Sequence, residues 1–256
     1  MSTPTAFTLS RTLFNPDLYH RVQSLWFATQ PASNPAPTDA SVKKWFFDPD
    51  RAAAASFDAQ LRAEFLPALQ ALFPDRITLP PAARSWADEH AQAAHLAAPF
   101  LPSLGEGGKG ALGLVLLLDQ VARNTLRGEQ QGIVYGHIDR LSRAVARTVL
   151  AEPLKADRQI GSYARRQWFY MPFMHSEWME DHEVFNRSME EMRADSQINV
   201  NEDVAKALDN QEKFEDMHVK IIRQFGRYPH RNKFLGRQTT AEEKAWLEGG
   251  GDTFGA

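Results

Sequence analysis

The 256-residue chain contains no cysteine. That absence excludes a disulfide framework, a cysteine-ligated zinc or iron–sulfur site, and a cysteine nucleophile. An excess of one charge is also missing, since 29 Lys and Arg against 32 Asp and Glu leave a formal net charge of −3. A nucleic-acid binder normally carries a clear basic excess, so no nucleic-acid partner is expected. The longest apolar run, Ala111 to Leu118, is far shorter than the roughly 20 residues of a bilayer span, and no membrane partner is expected. Strand signals are lacking too: there is no period-2 alternation and no Asn-Gly or Asp-Gly hairpin turn. The first 16 residues have Arg11 as their lone basic group and lack the pattern of a secretory signal. The expected location is cytoplasmic.

What is present is helical patterning with ample apolar surface, including six Trp and 16 Phe. The expected fold class is all-α, with one helical domain over residues 16–248. Flexible segments are expected at 1–15 and 249–256. Asn15-Pro16 opens a first helix to about Ala28, with Leu18, Val22, Leu25 and Trp26 on its apolar face. A short helix is expected over Val42 to Phe47, and an amphipathic one over Ser56 to Phe73. Others are expected at Ala83 to Ala98, Ala111 to Leu126, Val134 to Leu150, and Ser162 to Tyr170, the last stopped before Pro172. Two long helices follow, Ser176 to Ala194 and Glu202 to Phe225. A final one opens on the capping box Thr240-Ala-Glu-Glu243. Leu101 to Gly110, rich in glycine, reads as a mobile loop. Short connections suggest stacked antiparallel helix pairs.

Three constellations carry polar chemistry. In the first, an apolar helix ends abruptly in Asp119-Gln120 and Arg123-Asn124, with Arg127 continuing the face of Asp119 and Arg123. A buried Asp beside Arg needs hydrogen-bonded pairing, so this cluster either anchors loops or binds a ligand. In the second, the aromatic run from Trp168 delivers His175 and Glu177 just after Pro172. His and Glu together suit proton transfer, and the alternative is a histidine that bridges core elements. The acids downstream, Glu180, Asp181 and Glu183, read as a solvated face. The third runs from His218 to Arg237 and holds Arg227, His230, Arg231, Asn232 and Arg237 on a backbone punctuated by Gly226, Pro229 and Gly236. Arginine forks suit carboxylate or phosphate, and they also suit a buried ionic network with the protein's own acids.

These segments resemble the signatures of the domain of unknown function 924 family. The matching residues are Asp119-Gln120, Arg123-Asn124 and Arg127-Gly128; Pro172-Phe-Met-His175-Ser176-Glu177; and Phe225-Gly226-Arg227 through Pro229-His230-Arg231-Asn232 to Leu235-Gly236-Arg237. The resemblance covers about Tyr19 to Leu247. It implies a fold similar to tetratricopeptide repeats and implies no reaction. Two departures stand out. Val121-Ala122 occupies the place of Phe-Pro, and the acid expected after the Arg-Gly pair falls at Ile138, with Asp139 one place off.

The resulting expectation is a buried polar pocket for a small anion, carboxylate or phosphate, in a hydrolase-like protein. His175, Glu177, His230 and Asp119 would be catalytic. Gln120, Arg123, Asn124, His218, Arg227, Arg231, Asn232 and Arg237 would bind the ligand. No spacing demands a metal, and the sequence assigns no cofactor. The alternative is a helical module that binds a peptide in an open groove.

Overall fold

The computed structural model describes residues 7–46, 49–105 and 107–254. Every regular element among them is helical. Asn15 caps α1 (Pro16–Trp26) by accepting from the Leu18 N–H, with Pro16 at the first helical position. Then come α2 (Asp39–Phe46) and α3 (Arg51–Gln70). The third helix begins before its apolar stripe because Asp50 accepts from the N–H groups of Ala52 and Ala53. The expected end of the second helix at Phe47 lies outside the described residues.

Ser85 caps α4 (Trp86–Ala97). A single helical run follows, made of α5 (Gly108–Leu116), a wide π turn (Leu117–Val121) and α6 (Ala122–Thr125). A second run has the same build: α7 (Gln131–Ile133), a π turn (Val134–Ile138) and α8 (Asp139–Leu150). Short helices α9 (Tyr163–Arg166) and α10 (Met171–Met174) lead to α11 (Met179–Ala194), α12 (Glu202–Phe225) and α13 (Ala241–Glu248). The capping box of α13 is complete, with both reciprocal hydrogen bonds formed.

Helix α5 is the centre. Leu112 and Leu114 through Leu118 are fully buried, as expected for a helix apolar on all sides. It packs on α1, while α4 packs on α8, α3 on α6, and α11 on α12. Gly113 permits the first contact, because a Cβ there would lie 2.4 Å from the Tyr19 carbonyl oxygen. Trp168 holds Trp26 and Trp45 edge-on, at centroid distances of 5.1 and 5.0 Å. A smaller apolar cluster of Ile221, Ile222 and Tyr228, backed by Met179, Phe225 and Trp246, organises the end that carries the basic loop.

Several expectations are corrected. Residues 101–110 are not a loop throughout. Leu101–Ser103 is a 3-10 turn and α5 starts at Gly108, while Glu106 lies outside the described residues. Gly105 and Gly107 take left-handed φ, while Gly108 and Gly110 serve close packing: a Cβ on Gly110 would sit 1.8 Å from the Leu104 carbonyl oxygen. The helical run from Tyr163 ends before Pro172, as expected, but as α9 and a 3-10 turn (Gln167–Phe169), and Pro172 itself sits in the first turn of α10, where a missing N–H costs nothing. The start of the chain is no free arm from residue 7 onward. Leu9 and Phe14 are buried, and Phe7 packs edge-on against Phe100.

Asp181 is not solvated. It is fully buried, takes the Arg147 guanidinium at 2.5 and 2.6 Å and accepts from the Trp86 indole. Arg147 and Arg143 also grip Glu89, so charge pairs tie α4, α8 and α11 together. No helix among the described residues is long and apolar enough to cross a membrane.

Candidate functional site

Asp119 lies in the first π turn with its side chain 1% exposed. Its Oδ1 is 2.8 Å from His175 Nδ1, and its Oδ2 accepts from Gln120 at 2.7 Å. Burial disfavours the anion, yet His175 and Arg123 beside it hold the carboxyl down to about 2. Arg123, one turn on, stands 3.4 Å from Asp119 and donates to Asp139 at 2.9 Å. The acid missing at Ile138 is therefore supplied by Asp139. The π turn over residues 134–138 is wider than an α turn and absorbs one residue, which brings the displaced acid back to its arginine.

Two groups approach His175 Nδ1: Asp119 Oδ1 at 2.8 Å and Arg123 Nε at 3.2 Å. One nitrogen cannot serve both a carboxylate and an N–H. The shorter contact is to an acceptor-only oxygen, so Nδ1 carries the proton and donates to Asp119. Nε2 is then the bare nitrogen. Burial, and then Arg123, push the His175 pKa below the usual imidazole value, which keeps the ring neutral at neutral pH.

The basic loop starts where Gly226, at φ +67°, ends α12 in the left-handed conformation. Buried Tyr228 anchors it to α10 and α11: its hydroxyl donates to the Met174 carbonyl and its N–H to Glu177. Arg231 donates to the His175 carbonyl at 2.9 Å and lies 3.8 Å from Asp139. Its guanidinium stacks between rings, 4.3 Å from the Tyr228 centroid and 4.7 Å from that of Tyr135. Its Nε–H has no hydrogen-bond partner, and neither does Nδ1 of His230, a residue 9% exposed. Burial and Arg231 hold the His230 pKa down to about 3. His218 donates Nδ1–H to the Phe214 carbonyl, and burial pushes its pKa well below normal.

A cleft of about 70 Å³ is bordered by Arg123, Tyr135, His175, His218, His230 and Arg231. The structure thus brings together His175 and His230, with Asp119 directly behind His175, and the ligand candidates Arg123, His218 and Arg231. The other expected site residues are engaged elsewhere. Glu177 is clamped by Arg237 through two hydrogen bonds of 2.9 and 2.7 Å. Arg227 grips Glu243 at 2.6 and 2.9 Å, and Asn232 joins the same carboxylate. Asn124 donates to Asp58 and Gln120 to Asp119. A larger hollow of about 530 Å³ lies between α1 and residues 104–112, but none of the residues singled out above borders it. Among the described residues, no three His, Asp or Glu side chains are grouped to hold a metal ion.

All three segments that carry the sequence resemblance contribute to this site, joined by Tyr135, Asp139, His218 and Phe254 from outside them. The family described as bacterial protein of unknown function, DUF924, matches residues 22–251. The chain belongs to the DUF924 family. It is similar to a solved structure of a protein of unknown function from Agrobacterium tumefaciens. The two share 26% identity, the alignment covers 91% of this chain and 98% of that one, and the TM-score is 0.55. No curated protein matches it.

Sequence reasoning missed four contributors to the site of this DUF924 member: Tyr135, Tyr228, Asp139 and Phe254. Tyr228 lies inside a segment already singled out, and its place between Arg227 and Pro229 was a usable signal. Asp139 stands one place off the family's pattern, and the π turn that returns it to Arg123 is not visible in the sequence.

Proposed function

We propose that this cleft binds a small anion, a carboxylate or a phosphate, and that His175 serves there as a general base in a hydrolytic reaction. The observation that carries the reading is one cleft bordered by both Arg231 and His230, each of which holds a buried polar atom without a hydrogen-bond partner, Nε and Nδ1 respectively. A buried donor without a partner costs about 1–3 kcal/mol, which a bound anion would offset. Behind the cleft, Asp119 fixes the His175 tautomer and leaves Nε2 as acceptor, the arrangement a water-activating base needs. Arg123 and Arg231 would stabilise negative charge as it develops.

Calorimetric titration with inorganic phosphate and acetate tests the binding. We expect saturable binding to the native chain, and its loss in a folded His230→Ala variant. Unchanged affinity in that variant overturns the reading. A panel of phosphate and carboxylate esters then tests catalysis, where His175→Ala removes turnover and leaves binding.

A second reading, a tetratricopeptide-like helical module that binds a peptide, is favoured by one observation. The chain's own Thr253 and Phe254 lie against the cleft as a peptide would. Binding of phenylalanine-containing peptides in preference to small anions would favour it.

A further inference from the structure

At about 70 Å³ the cleft has room for a few waters or one small inorganic anion. What limits it is Phe254. Its ring lies flat on the His218 imidazole, with centroids 3.7 Å apart and planes 9° apart. Tyr228 closes one side edge-on, 6.4 Å from Phe254 at 88°. The ring is therefore seated in a slot with an aromatic floor and an aromatic wall.

The hold on Phe254 is weak in every other respect. No hydrogen bond ties residues 252–254 to the other described residues; the last backbone bond of the tail is from Gly251 to Trp246. Phe254 is 41% exposed. Its φ of +52° is a left-handed conformation that a bulky L-residue adopts at a cost.

The slot opens on the cationic cleft, which Phe254, His218, His230 and Arg231 all border. Buried Tyr228 backs both: it stands at a right angle to Phe254, and the Arg231 guanidinium lies 4.3 Å from its ring centroid. Beyond it stands His230, 5.7 Å from Tyr228 between ring centroids. A ring in the place of Phe254 would thus share the cleft with Arg231 and His230.

We propose that Phe254 is a displaceable plug, and that the ligand of this site is an aryl-bearing anion. Its ring replaces Phe254 on His218, and its anionic group, joined to the ring by a short link, reaches Arg231 and His230. This rests on the anion-binding reading above and adds the ring to it. Parallel stacking with a small offset is one of the arrangements that planar rings favour, and a neutral imidazole offers such a face. Burial keeps His218 neutral, with its one N–H donated to the Phe214 carbonyl. The hydrogen bond to the Phe214 carbonyl works against burial, while His175, His182 and then Arg231, all on other elements, lower the His218 pKa further.

The test compares inorganic phosphate with phenyl phosphate on the full-length chain by calorimetry. Three variants are used: Phe254→Ala, His218→Ala and His218→Phe. Phenyl phosphate should bind the native chain, and Phe254→Ala should tighten that binding about tenfold, because the ligand no longer competes with the plug. Inorganic phosphate should change little in the same variant. His218→Ala should weaken phenyl phosphate about tenfold more than it weakens inorganic phosphate, whereas His218→Phe, which restores a flat ring, should recover the preference.

If inorganic phosphate binds but phenyl phosphate gains nothing from Phe254→Ala, or both gain equally, the ring site is overturned and the anion site stands. If neither anion binds any folded variant, the anion-binding reading falls and this inference falls with it.

Discussion

Arg123 and Arg231 both stand over the Tyr135 ring, yet they answer to different partners. Arg123 holds Asp139 at 2.9 Å and Asp119 at 3.4 Å, both carboxylates buried. Arg231 reaches Asp139 at 3.8 Å and spends its close hydrogen bond on a carbonyl. Removing one partner of a buried ion pair leaves a stranded charge, typically at about 3–5 kcal/mol. Arg123→Ala should therefore cost about that much in a urea unfolding experiment. Arg231→Ala, which loses a hydrogen bond and ring stacking, should cost less, about 1–3 kcal/mol. Equal losses would mean that Arg231, too, is a structural counter-ion and not a ligand group. Sequence cannot make this distinction. Arg227, Arg231 and Arg237 share one short segment, and what separates them is which distant acid each faces. Glu177 for Arg237 is 60 positions away, and no spacing rule reaches that far.

At the level of helices, much was legible and the failures have physical reasons. Helix α12 occupies the expected span, and α13 opens on the expected capping box, because caps and apolar periodicity are local signals. The misread stretch at 101–110 failed because glycine marks two things, conformational freedom and close approach: Gly105 and Gly107 show the first, Gly108 and Gly110 the second. The same residue type positions the site. A Cβ on Gly132 would lie 2.8 Å from the Phe234 carbonyl oxygen, so the basic loop rests directly on α7. Gly132→Ala should push that loop outward, costing about 1–3 kcal/mol by thermal or chemical unfolding and weakening phosphate binding in parallel. Unchanged binding would show that the loop position is not set there. Of the acids of α11, Glu180 and Glu183 are exposed as expected, and Asp181 departs because it gains its partner, Arg147, from α8. Arg147→Met should destabilise by about 3–5 kcal/mol, since it leaves Asp181 and Glu89 short of a counter-charge. A value near zero would mean that Arg143 alone suffices for both acids.

For the whole molecule, buried imidazoles set the onset of acid destabilisation, ahead of carboxyls such as Asp119 that are held down to about 2. His137, His175, His218 and His230 all have pKa values depressed in the folded state, His230 to about 3. The unfolded chain binds protons on them near the ordinary value of about 6.5, so it takes up more protons than the folded chain between that value and the folded one. Their contribution to stability is complete above about pH 6.5 and is lost as pH falls toward 3. Glu215 acts in the opposite sense. Burial raises its pKa, so its contribution is present at low pH and fades as pH rises through the raised value. It partly offsets the histidines and does not reverse them. Unfolding free energy should thus fall steadily from pH 6.5 to pH 4, and His230→Asn should flatten that slope. An unchanged slope in the variant would place the acid sensitivity elsewhere.

The basic loop has one more consequence. It is pinned at both feet, by Arg227 on Glu243 and by Arg237 on Glu177. An arch fixed at two points does not swing, so its groups arrive already aimed and little ordering entropy is lost when a ligand meets them. The movable wall is then the tail that carries Phe254. Association kinetics would bear its mark: the observed rate would rise with ligand concentration and then level off at the rate at which the tail lifts.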